Sequence, residues 1–116
     1  MYLVFLADAT EGGFIQKIIF KAVATTAATV IRVWYCSGTG TFSANTTNTA
    51  ATTSMIAELT TAAWTASNTL ASPQYEVPLN IALPVISGGA KILVSFGTST
   101  GGAGNGFTTL AIGGKY

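Results

Sequence analysis

Apolar side chains recur at every second position in segment after segment of this chain, the period of a strand with one face buried. Residues 2–7 form the first such run. In residues 14–22 the even positions Phe14, Gln16, Ile18, Phe20 and Ala22 stand against odd positions where Lys17 and Lys21 interrupt Ile15 and Ile19, so the even face is expected in the core. In residues 29–35 Ile31, Val33 and Tyr35 are expected to face inward, with Val30, Arg32 and Trp34 on the other side. Met55, Ala57 and Leu59 alternate with Ile56 and Glu58, and Tyr75, Val77 and Leu79 with Glu76 and Pro78. Ile92, Val94 and Phe96 alternate with Lys91 and Ser95, and Phe107, Thr109 and Ala111 with Thr108, Leu110 and Ile112. Pro78 has no N–H to give a ladder, so its strand is expected to be an edge or to end early.

The runs are separated at Gly12-Gly13, Ser37-Gly38, Gly88-Gly89, Gly101-Gly102 and Gly113-Gly114, where glycine accepts a positive φ. Short strands between glycine turns, with no sustained helical period, predict an all-β chain of about seven strands, an antiparallel sandwich or barrel. Residues 57–66 are the one helical candidate, and Thr60, Thr61 and Thr65 disfavour it. With 116 residues the chain reads as a single domain over 1–116. Residues 37–53 and 98–106 are expected to be long neutral loops, built almost wholly from Ser, Thr, Gly, Ala and Asn around one aromatic, Phe42. A structureless loop of that length in a compact domain is expected to be a contact arm or a floppy tip, and Phe42 favours the contact arm.

Composition changes the functional picture. Only 8% of the residues are charged, 49% are hydrophobic and there is no histidine. Serine or cysteine nucleophiles activated by histidine are thereby excluded, as are histidine metal sites. The single Cys36 excludes an internal disulfide and reads as a buried thiol. A net charge of +1 gives no field to draw in nucleic acid, so no nucleic-acid partner is expected. No membrane span is expected either, because the longest apolar stretch, residues 77–86, is broken by Pro78, Asn80 and Pro84. Residues 1–9 end in an Ala-x-Ala pattern, but no cation precedes their short apolar run, and no signal peptide is expected.

The remaining candidates for chemistry are weak. Asp8 and Glu11 lie close in sequence but lack an Asp-rich calcium loop around them, and a role in solvating a turn is expected. Glu58, Glu76, Lys17, Lys21, Arg32 and Lys91 fall opposite the apolar faces, as cross-strand partners or solubilising charges. The glycine-rich residues 101–106 lack the spacing and the Lys-Ser/Thr of a phosphate loop and precede a strand, not a helix. No catalytic residue, metal or cofactor is therefore expected. What remains is surface for contact: Trp34 beside Arg32 on an outward face, Phe42, and the amides Asn45, Asn48 and Asn105 in the loops are the candidate interface residues, with packing under a loop the alternative for Trp34. Trp64 is expected in the core.

Two stretches carry a resemblance. Residues 13–22, GFIQKIIFKA, followed by Thr25-Thr26-Ala27-Ala28-Thr29-Val30-Ile31-Arg32-Val33, pair a basic amphipathic strand with a Thr/Ala turn and an arginine-bearing strand. Leu83-Pro84, Lys91-Ile92-Leu93-Val94-Ser95 and the terminal FTTLAIGGKY complete the pattern. Together they resemble a family of small virion proteins encoded near head genes of tailed bacteriophages. The chain departs from that pattern in residues 37–53, where the family has a compact hairpin. The resemblance narrows the fold to an antiparallel β-sandwich, jelly-roll-like, of about seven to eight strands, and implies a capsid decoration or cement protein on the virion surface, made in the host cytoplasm, with the major capsid protein as partner and a homo-oligomer, a trimer favoured, as its form. A glycan- or receptor-binding domain of a head or tail fibre, using Trp34, Tyr35 and the polar loops, is the alternative reading. A tail or adaptor subunit is a third.

Overall fold

The computed structural model describes residues 2–38, 52–97 and 106–116. These residues form seven strands and no helix: β1 (Tyr2–Leu6), β2 (Gly13–Ala22), β3 (Thr29–Cys36), β4 (Thr53–Thr61), β5 (Gln74–Leu83), β6 (Lys91–Phe96) and β7 (Phe107–Gly114). They make two antiparallel sheets with strand orders β1-β6-β3-β4 and β5-β2-β7. Among the described strands only β3 and β4 are both neighbours in sequence and partners in a sheet. Every other connection passes from one sheet to the other, so neither sheet can assemble without its counterpart. The expected antiparallel sandwich is thus observed, and the helical candidate at 57–66 is strand up to Thr61.

The core lies between the sheets. Ile15, Ile18 and Phe20 of β2 meet Ile31 and Val33 of β3 and Ile92 and Val94 of β6, and none of them is more than marginally accessible. Each such side chain contributes about 1.5–3 kcal/mol through the apolar area it removes from water. The inward faces expected for β3 and β6 are those observed, and on β7 it is Phe107 and Ala111 that pack against the core.

Strand β2 departs from simple alternation. Its pairing with β7 runs Ile18↔Ala111 and Lys17↔Ile112 and then Ile15↔Gly113, which leaves Gln16 as an extra residue. Such a bulge moves the inner face to the other parity. Ile18, Phe20 and Ala22 are inward as expected, but beyond the bulge it is Ile15 that enters the core, while Phe14 turns outward and is 42% exposed. Phe14 packs instead against Tyr116, ring centroids 6.1 Å apart.

The neighbours of β2 accommodate the bulge in different ways. On β5, Lys17↔Pro78 is followed by Ile15↔Ile81, and Asn80 in the extra length adopts φ 52, a conformation asparagine tolerates better than most. On β7, a Cβ at Gly113 would collide with the Phe14 carbonyl oxygen, so glycine keeps the ladder closed there. Gly113-Gly114 is consequently part of a strand and not the turn that the sequence suggested, whereas Gly88 and Gly89, at φ 82 and 84, do form one. Strand β4 carries a similar irregularity: Val33↔Ala57 is followed by Trp34↔Met55, with Ile56 the extra residue. Met55 is therefore exposed, contrary to the inward position expected for it.

These placements separate two phenylalanines that the sequence put on one face. Phe20→Ala is expected to lower unfolding stability by about 3–5 kcal/mol, the usual cost of emptying a buried aromatic site. Phe14→Ala should cost less than about 1 kcal/mol, within the range of surface changes. Urea unfolding of the two variants checks the order, and equal losses would contradict the bulge.

Candidate interaction surfaces

Trp34 stands on the outer face of the four-stranded sheet, between Leu93 of β6 and Met55 of β4. Half-buried, it donates an indole N–H hydrogen bond to Ser95 Oγ at 2.8 Å. Leu93, between Leu3 and Trp34, is fully buried although it faces away from the core. One turn of the pleat further along β3, Arg32 lies directly across from Glu58, and its Nε donates to Glu58 Oε1 at 2.9 Å. Trp34 and Arg32 thus share a face, as expected, but each is already engaged within the sheet.

Lys91 corrects an expectation. It lies on the outward side of β6, yet it is only 2% exposed, so it is not a solubilising charge. Its ammonium donates to the carbonyl oxygens of Gly38 at 2.7 Å and Gly89 at 3.0 Å. Being nearly inaccessible, the cation depends on these acceptors. Lys91 thereby ties the end of the β3 segment to the turn before β6, with the buried Cys36 directly across the ladder.

The other charges lie at the surface. Lys17 pairs with Glu76 at 3.3 Å, and Lys115 with Glu11 at 3.7 Å. Lys21 donates to the Ser72 carbonyl oxygen at 3.2 Å. Asp8 accepts hydrogen bonds from the backbone N–H groups of Thr10 and Glu11, both at 2.8 Å, the geometry of an Asx-turn. Those bonds, the one from Glu11 first, hold its carboxyl below the usual carboxylate range. Among the described residues no three Cys, Asp or Glu side chains come together as a metal site.

A different surface appears where β1 and β7 form the neighbouring edges of the two sheets. Between them opens a cleft of about 480 Å³ lined by Tyr2, Phe96, Phe107 and Thr109, among others. Tyr2 packs edge-on against Phe96, and Phe96 stacks on Phe107, centroids 6.2 and 6.0 Å apart. Tyr2 is 65% exposed and Leu110 59%. Sequence reasoning missed this surface because it depends on which strands become edges. The available signal was the absence of charge from both runs.

Of the expected interface residues, Phe42, Asn45, Asn48 and Asn105 lie outside the described residues, as do most of the two loops that carry them. Trp64 is half-buried and outside the core cluster; its backbone bridges to Thr26, with N···O distances of 2.8 and 3.0 Å.

Two outcomes follow from this geometry. Lys91→Met keeps the aliphatic stem but leaves two carbonyls without their donor, and should cost about 1–3 kcal/mol in urea unfolding. For Asp8 the folded pKa lies below the unfolded one, so its contribution is present above the unfolded pKa and disappears as pH falls through the folded value. Asp8→Asn should therefore flatten the acid limb of a stability–pH curve below about pH 4, near the ordinary aspartate pKa, and an unchanged limb would remove Asp8 from the account. Comparison of the chain with protein-family models, with curated proteins and with solved structures returned no match.

Proposed function

We propose that this chain is a non-enzymatic structural protein of a virus particle, a capsid decoration or cement protein on a tailed-phage head. Its partner is the major capsid protein, its place the outer surface of the virion, and its form a homo-oligomer. The observation that carries the reading is the combination of few charges with large apolar side chains in the open. Tyr2, Leu6, Val85, Leu110 and Tyr116 are all more than half exposed in a chain with only 8% charged residues. A protein free in solution would gain little by such a surface, whereas one held permanently against neighbours buries it. The strand order β1-β6-β3-β4, in which a late strand returns between the first and third, supports the jelly-roll-like form of the sandwich.

The engagement of the ionisable groups favours the same reading over catalysis. Arg32, Lys17 and Lys115 each hold a carboxylate at the surface, Lys91 is capped by carbonyls, and Asp8 closes a turn. The glycan-binding alternative requires an open aromatic platform at Trp34, and that ring is half-buried with its N–H already bonded. The tail or adaptor alternative gains no specific support.

Contacts made by neutral groups are barely screened by salt. Purified protein added to undecorated capsid shells should co-sediment with them, and the bound fraction should change less than about twofold between 0.05 and 1 M NaCl, more than a threefold range of Debye length. Absence of binding, or release at moderate salt, would overturn the proposal.

A further inference from the structure

We infer that the β1/β7 flank of the sandwich is a homotypic interface, at which β7 pairs antiparallel with β7 of a second copy of this chain. A two-fold axis normal to the sheets relates the copies.

Among the described residues four strands end the two sheets: β1, β4, β5 and β7. Three of them carry features that discourage further pairing. Strand β5 has Pro78, Glu76 and the irregularity at Asn80, and β4 has Glu58 and the bulge at Ile56. Strand β1 is only five residues long, and its register shifts between Leu3 and Phe5. Strand β7 has eight residues with neither proline nor charge.

The phase of its ladder shows what that edge offers. Val23 N–H donates to the Gly106 carbonyl oxygen at 3.1 Å, one step beyond the pair Ala22↔Phe107. Hydrogen-bonded and non-hydrogen-bonded pairs alternate along an antiparallel ladder. Thr108, Leu110 and Ile112 therefore bond to β2, while Phe107, Thr109 and Ala111 direct their N–H and C=O groups to the open side. The chemistry that fits such a row is another extended strand.

Charge and area select the same chain as that strand. Neither β1 (YLVFL) nor β7 (FTTLAIGG) contains Asp, Glu, Lys or Arg, so a two-fold axis here opposes no like charges. The β4/β5 flank, by contrast, would bring Glu58 and Glu76 toward their own copies. Eight residues span about 27 Å, and two sheets about 10 Å apart with their side chains stand about 20 Å high. That gives about 540 Å² per copy and about 1,100 Å² in total, just above the ~1,000 Å² expected of a specific interface. The pairing also covers the mouth of the cleft and the exposed Tyr2. Because the contact is isologous it closes at two copies, in place of the trimer that the family resemblance implies, and does not propagate into a fibre.

This inference stands apart from the virion proposal, since it concerns the free protein. Sedimentation equilibrium of the full chain at about 100 μM should give twice the 11.8 kDa chain mass, with dissociation on dilution. Thr109→Pro removes an outward N–H, and Leu110→Lys places like charges beside the axis; each should weaken the dimer at least tenfold. Ile56→Lys, on the β4 edge, should leave it unchanged. Hydrogen exchange supplies a readout independent of folding defects: the amides of Phe107, Thr109 and Ala111 should exchange faster on dilution while that of Leu110 does not. A monomer or a trimer at 100 μM would overturn the inference. So would a dimer indifferent to Leu110→Lys whose β7 amides show no dependence on concentration.

Discussion

The fold depends on one irregularity in β2. This strand is central to its sheet and supplies Ile15, Ile18 and Phe20 to the core. Under strict alternation Ile15 and Ile18 would face opposite ways, since an odd separation puts them on different sides of the pleat. The extra residue at Gln16 reconciles them. Its consequences reach both neighbours: Asn80 takes a left-handed conformation on β5, and Gly113 gives up a side chain on β7. Three strands therefore share one local solution, and the exposure of Phe14 is its by-product.

Where the strand period is clean, sequence and structure coincide. In β3 and β6 a charged residue, Arg32 or Lys91, marks the outward parity although Trp34 and Leu93 share it, so the face was legible from the residues alone; β7, with Leu110 and Ile112 opposite Phe107 and Ala111, carries no such marker. In β2 and β4 apolar residues occupy both parities: Phe14 beside Ile15, Met55 beside Ile56. A bulge there leaves no local trace, because either phase supplies a plausible inner face. Pro78 identified its edge because a missing donor is a property of the residue itself. The edge at β7 was hidden, since strand order is fixed by distant partners. Lys91 was misread for a similar reason: its carbonyl partners come from Gly38 and from the turn at Gly89, neither of which its own strand reveals.

Scarcity of charge acts on this molecule through its edges as much as through the chemistry it denies. A sheet protein usually keeps its edges apart with lysines and inward-pointing charges. Here only five cations are available, and Lys17, Lys21 and Arg32 sit on outer faces while Lys91 is enclosed. Protection has to come from backbone geometry instead. Bulges serve β1 and β4, and a proline with a left-handed asparagine serves β5.

Strand β7 cannot use the same device. Its register is already committed to following the β2 bulge, with Gly113 held against the Phe14 carbonyl, and its inward residues Phe107 and Ala111 pack against the core. A second bulge would turn these side chains away from the interior and open the end of the sandwich where Phe96 stacks on Phe107. The constraint that orders the core thus leaves this edge without a bulge, proline or charge of its own. For a neutral strand in that position, pairing with its own two-fold copy satisfies the open backbone groups without adding charge or distorting the ladder behind it.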